Sequence, residues 1–97
     1  MKAVFIPYNQ THKEYILELL EKSNIRGFSM WDSVQGKGSE SGEPHYGTHA
    51  WPTLNGAILT IIPDEKTDEL LRKLHEMDKG NKNLGLHAYV WSVEKMV

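Results

Sequence analysis

Six runs of regular hydrophobic spacing, in the order strand, helix, strand, strand, helix, strand, restrict this chain to very few folds. Residues 3–8 are short, apolar and partly β-branched, with Pro7 and Asn9 at their end, which predicts a central strand. Residues 11–22 carry Ile16, Leu17, Leu19 and Leu20 as one helical stripe. Thr11 and Glu14 stand in capping-box register at its start, Glu18 and Lys22 pair four apart on the wet face, and Ser23-Asn24 ends it. Residues 25–34 read as a strand with Phe28, Met30, Asp32 and Val34 on one side and Ser29, Trp31 and Ser33 on the other. Gly27 within it predicts a bulge or a close approach by another backbone or a ligand.

Residues 56–62 are the most apolar piece of the chain and predict a buried middle strand. Pro63 stops it, and Asp64 is placed to cap a helix over Asp64–Lys79, striped by Thr67, Leu70, Leu71, Leu74 and Met77. Gly80 is placed to end that helix in a left-handed conformation. In residues 84–93, Leu86, Ala88 and Val90 alternate with His87, Tyr89, Trp91 and Val93. Both sides of this last strand are largely apolar or aromatic.

The order predicts an α+β, ferredoxin-like βαββαβ fold in one domain over residues 1–97. Its sheet has four antiparallel strands in the order 4-1-3-2, with both helices on one face. Nothing in the chain is left to cover the other face, yet every strand offers apolar or aromatic residues to it. A bare patch of that kind marks an interaction surface, and a homotrimer is expected.

Between the second and third strands lies a connection, residues 33–55, where a tight hairpin would have sufficed. A connection that long inside a small domain is normally functional. It holds Gly36, Gly38, Gly42 and Gly47, together with Lys37, Glu43, His45, Tyr46, His49 and Trp51. His45 and His49 are candidate divalent-metal ligands, though a glycine-rich loop does not fix the geometry that a helix would. Glu43, His45, Tyr46 and His49 are the candidate partner-contact residues at its tip. Trp51 and Pro52 lead into the next strand as scaffold.

A net charge of −2 gives no field to attract nucleic acid. The absence of cysteine excludes a thiolate metal site and a cysteine nucleophile. No apolar run is long enough to span a bilayer, so no membrane insertion is expected and the cytoplasm is the expected location. No nucleophile motif, phosphate-binding loop or fixed carboxylate pair is present, and no enzyme is expected. His87 with Tyr8 or Tyr89 is the combination that could serve in a sheet-lined catalytic pocket.

Residues 25–38, from Ile25-Arg26-Gly27 to Gly36-Lys37-Gly38, resemble the second strand of the PII-like signalling proteins as it runs into their T-loop. Ile62-Pro63-Asp64-Glu65 resembles their third-strand exit, and Tyr89-Val90-Trp91-Ser92-Val93-Glu94 their last strand. The resemblance implies a trimer that binds a small effector, an adenine nucleotide or another small anion, in the cleft between subunits. It also implies that the long loop then acts on a regulated protein such as a transporter or an enzyme. Carried onto this chain, the effector-binding positions are Gly27, Ser29, Gly36, Lys37 and Gly38 at the strand and loop base. Lys79, Gly80 and Lys82 stand in the turn after the second helix. That turn has one glycine where the nucleotide-binding members have several, so Gly80 reads equally as a plain helix stop and the lysines as partners of the helix C-terminus. The alternative is a trimer resembling the CutA-type divalent-cation tolerance proteins, with metal on His45 and His49.

Overall fold

The computed structural model describes residues 1–37, 44–45, 54–80 and 86–97. Gly38, Glu43, Tyr46, His49, Trp51, Pro52 and Lys82 lie outside the described residues, and Lys37 and His45 are described by backbone pairing alone. The elements are β1 (Lys2–Asn9), α1 (Lys13–Lys22), β2 (Ser29–Val34), β3 (Gly36–Lys37), β4 (Pro44–His45), β5 (Asn55–Ile62), α2 (Asp64–Lys79) and β6 (Tyr89–Ser92). A short 3-10 turn, Gln10–His12, joins β1 to α1.

The main sheet runs β2-β5-β1-β6, every neighbouring pair antiparallel. Counting its four strands in chain order, this is the predicted 4-1-3-2. β3 and β4 form a separate two-stranded ribbon, Gly36 opposite His45, that hydrophobic spacing did not predict. Two-residue strands carry no alternation to detect.

Alternate residues of the strands go to opposite faces. Val4, Ile6 and Tyr8 of β1 and Ile58 and Ile62 of β5 meet Ile16 and Leu20 of α1 and Leu70 and Leu74 of α2, all buried. Ala88 and Val90 pack at the edge of this core, as their spacing predicted. Each fully buried aliphatic side chain contributes about 1.5–3 kcal/mol relative to exposure. These side chains are why both helices lie on one face.

The helix ends differ from expectation. Thr11 and Glu14 form no capping box: Asn9 Oδ1 accepts both the Thr11 N–H at 3.0 Å and the Thr11 hydroxyl at 2.9 Å. That local side-chain turn competes with the helix start, and α1 begins at Lys13. At the end of α1, Asn24 is left-handed, with φ of 57°. The N–H of Ile25 reaches Leu20 O at 2.9 Å, that of Asn24 reaches Glu21 O at 3.0 Å, and Ile25 and Leu20 share the core. This pattern is the Schellman motif. Gly80 stays right-handed at φ −79°. Asp64 is the first helical residue and not the cap; Pro63 holds that position, and the Asp64 carboxylate pairs with the Met1 amino group at 2.8 Å.

The second strand is shorter than its alternation suggested and begins at Ser29. Residues 25–28 are tied instead by Thr60 Oγ1, which donates to Gly27 O at 2.6 Å. A Cβ on Gly27 would meet nothing within 4 Å, so this glycine permits no close approach inside the chain. The bulge lies further on: Trp31 pairs with Ala57 but Val34 with Asn55, leaving Asp32 and Ser33 without ladder partners. The last strand begins at Tyr89, and before it the His87 N–H reaches across to Pro7 O at 3.3 Å.

Candidate functional site: an aromatic cleft where the long connection leaves the sheet

On the face away from the helices, the strands form a cleft of about 430 Å³ at the end of the sheet where β2 and β5 part. Phe5 and Pro7 of β1 and Ala57 of β5 make its floor, since odd-numbered residues of both strands face this side. Tyr89 comes from β6, and His87 from the segment before it. Their rings stack with centroids 6.2 Å apart and planes 19° apart. Trp31 closes the far wall.

The remaining wall exists because of the bulge. Strict alternation puts Val34 with Met30, on the helix side. The two unpaired residues shift the phase, so Val34 joins Trp31 in the cleft, followed by Gln35 and Gly36. A side chain at Gly36 would place its Cβ 2.8 Å from Asn55 Nδ2, so any larger residue there has to displace the Asn55 amide. Asn55 itself is buried and, with Gln35 and His87, is one of the polar residues lining the cleft.

Beneath the cleft, on the helix side, Gly56 fits against Tyr8. A Cβ on Gly56 would fall 2.6 Å from the Tyr8 ring and hydroxyl. The Tyr8 hydroxyl is buried with no hydrogen-bond partner among the described residues. Burial pushes its pKa up, the Lys13 charge opposes this, and the Asp32 charge adds to it. Lys13 Nζ and Asp32 Oδ1 pair at 2.9 Å above it.

The same open face continues as a second hollow along Ala3, Leu59, Ile61 and Trp91. Trp31 is 47% exposed, Tyr89 54% and Trp91 50%. Among the described residues these are large apolar groups left uncovered side by side.

Of the effector positions read from the sequence that the structure describes with their side chains, Gly36 alone lines the cleft. Ser29 lies at the other end of β2, paired with Leu59, and Gly27 precedes it. Lys79 and Gly80 lie at the C-terminal end of α2 and line no part of the cleft. Of the two tyrosines considered with His87, Tyr89 stacks on it, and Tyr8 faces the opposite side of the sheet. Sequence reasoning missed Asn55, the tight fit of Gly56 and the inward turn of Val34. The Asn55-Gly56 pair just before the most apolar run was the one visible signal.

Neither a family model nor a curated protein matches the chain. Solved structures do. CPII from Thiomonas intermedia, a nitrogen regulatory PII-like protein bound to ADP, AMP and bicarbonate, superposes with a TM-score of 0.76 at 20% identity, over 93% of this chain and 82% of that one. CPII bound to ADP and bicarbonate gives 0.75 at 21%, over 93% and 82%. A protein from Thermus thermophilus, assigned as a PII-like signalling protein, gives 0.68 at 21%, over 95% and 85%. The fold is the PII-like fold. The resemblance read from residues 25–38, 62–65 and 89–94 therefore holds at the level of backbone architecture. The aromatic cleft sits where the β2–β5 connection leaves the sheet.

Proposed function

We propose that this chain is a divergent PII-like signalling protein that acts as a homotrimer. Copies meet through the open face of the sheet. A small effector, an adenine nucleotide or another small anion, binds at the base of the 33–55 connection, and a regulated protein reads the connection's state. The role is regulatory and not catalytic. The observation that carries this reading is the bulge in β2. It turns Val34, Gln35 and Gly36 into an aromatic-walled cleft at the foot of the connection, so anything bound there touches the residues from which the connection springs. A cleft walled by apolar groups with a few polar ones suits a small molecule. CPII, whose backbone this chain shares, holds ADP with bicarbonate.

In this reading Lys79 and Gly80 at the end of α2, with Lys82 just beyond them in the chain, would meet an anionic group. Gly27 and Ser29 lie at the far end of β2, where an adjoining subunit would use them. Lys37, Gly38, Glu43, Tyr46 and His49 belong to the connection itself. The divalent-metal alternative would rest on His45 and His49, of which His49 lies outside the described residues and His45 is described by its backbone pairing alone.

Calorimetric titration with ADP, with and without bicarbonate, tests the effector reading. Saturable binding to the wild type is expected, weakened about tenfold or more by Trp31→Ala, which removes a stacking wall. No heat with any adenine nucleotide or bicarbonate would refute it.

A further inference from the structure

The β2 bulge creates the cleft wall, and it needs something to hold it. Asp32 and Ser33 have no partner across the ladder. An unpaired residue in a strand leaves backbone polar groups to be satisfied elsewhere. Here one side chain meets both residues. Gln10 Nε2 donates to the carbonyl oxygen of Asp32 at 2.8 Å and to the hydroxyl of Ser33 at 3.2 Å, which uses both amide hydrogens. The backbone N–H of Gln10 donates to Leu54 O at 3.0 Å. Leu54 is on the returning leg of the connection, and residues 32 and 33 are on the outgoing leg. Gln10 therefore binds both legs from the turn that follows β1, across the end of β5.

We infer that Gln10 is the positioning residue of the loop base: its side-chain amide holds the bulge, and through it the cleft wall. The inference rests on the reading of the cleft as the effector site. The register logic makes it specific. Side chains alternate with a period of two, so losing the bulge by one residue of slip would turn Val34 to the helix side and take Gln35 and Gly36 out of the wall. The ladder alone does not prevent this slip, because regular pairing satisfies the backbone of residues 32 and 33 equally well. Gln10 makes the bulged register the satisfied one. The Lys13–Asp32 ion pair is close by but grips only an exposed carboxylate, and exposed pairs stabilise weakly.

Hydrogen exchange on the full chain, run beside ADP calorimetry, tests this with Gln10→Ala, Gln10→Glu and Lys13→Gln. In Gln10→Ala the amides of residues 32–36 should exchange roughly tenfold faster, the effect of losing one or two hydrogen bonds. Gln10→Glu should match or exceed that, because a carboxylate cannot donate and would face the Asp32 carbonyl oxygen. Lys13→Gln should stay within about twofold of the wild type. ADP affinity should fall in the same order, while the β1–β6 pairing keeps its protection. The inference is overturned if Gln10→Ala leaves residues 32–36 within about twofold of the wild type, or if Lys13→Gln has an equal effect. It is also overturned if Gln10→Ala exposes the β1–β6 pairing, which would make Gln10 a general folding residue. If the wild type takes up no ADP, the effector reading falls, and the exchange results alone decide the role of Gln10.

Discussion

The two faces of the sheet are made from the same strands and have opposite fates. On one, Val4, Ile6 and Ile58 are completely buried beneath the two helices. On the other, Trp31, Tyr89 and Trp91 are about half exposed, and Ile61 is 38% exposed. Adjacent residues of one strand supply both: Val90 packs against the core while Trp91 beside it lies bare. Exposed single apolar residues are ordinary, but a row of aromatic rings along a sheet is not. The closed face accounts for the folding of one chain. On the reading above, the open face is covered by another copy of the chain.

The sharpest way to break this comparison is to make equal truncations on the two faces. Ile58→Ala on the closed face should destabilise the chain by about 2–5 kcal/mol in denaturant unfolding, since it removes a fully buried side chain and leaves a cavity. Trp91→Ser on the open face should act through assembly instead. The wild type's melting midpoint should rise with protein concentration, as expected when subunit association is linked to folding, and Trp91→Ser should abolish that dependence. Similar, concentration-independent losses from both substitutions would erase the distinction.

The smallest effect concerns Tyr8, whose hydroxyl is the unpartnered buried side-chain group among the described residues. Tyr8→Phe should therefore change stability by only about 1 kcal/mol or less, and in the stabilising direction. Its pH dependence follows from the raised pKa. The folded chain releases the phenolic proton at a higher pH than the unfolded chain, whose group stays near 10.0. This part of the stability is complete below that value and is lost as pH rises through the folded-state value. Alkaline unfolding curves of the wild type should therefore fall more steeply than those of Tyr8→Phe above pH 10.0.

What could be read in the sequence was what hydrophobic period determines. The stripes Ile16–Leu20 and Leu70–Leu74, and the run 57–62, specified two helices and a middle strand. The crossover rule then gave the strand order, and the alternation at His87, Tyr89 and Trp91 showed the open face. The features that proved illegible depend on contacts distant in sequence or on competition at element ends. Nothing near residues 31–34 announces a bulge; its support comes from Gln10, more than twenty residues earlier. Thr11-x-x-Glu14 has the letters of a capping box, but Asn9 captures the Thr11 N–H first. Gly80 at the end of α2 is right-handed where a left-handed glycine was expected, and the left-handed end occurs at α1 instead, on Asn24, where Ile25 and Leu20 close in the core. The cleft was legible in part: Gly36 was placed at the loop base, whereas Asn55 and Val34 reach it only through a register that spacing cannot reveal.

The most direct test of the account is the mass of the wild-type protein in solution. Light scattering at micromolar concentration should return three times the chain mass, with the open faces buried against one another. A particle of a single chain's mass, with its aromatic face in water, would contradict the central claim.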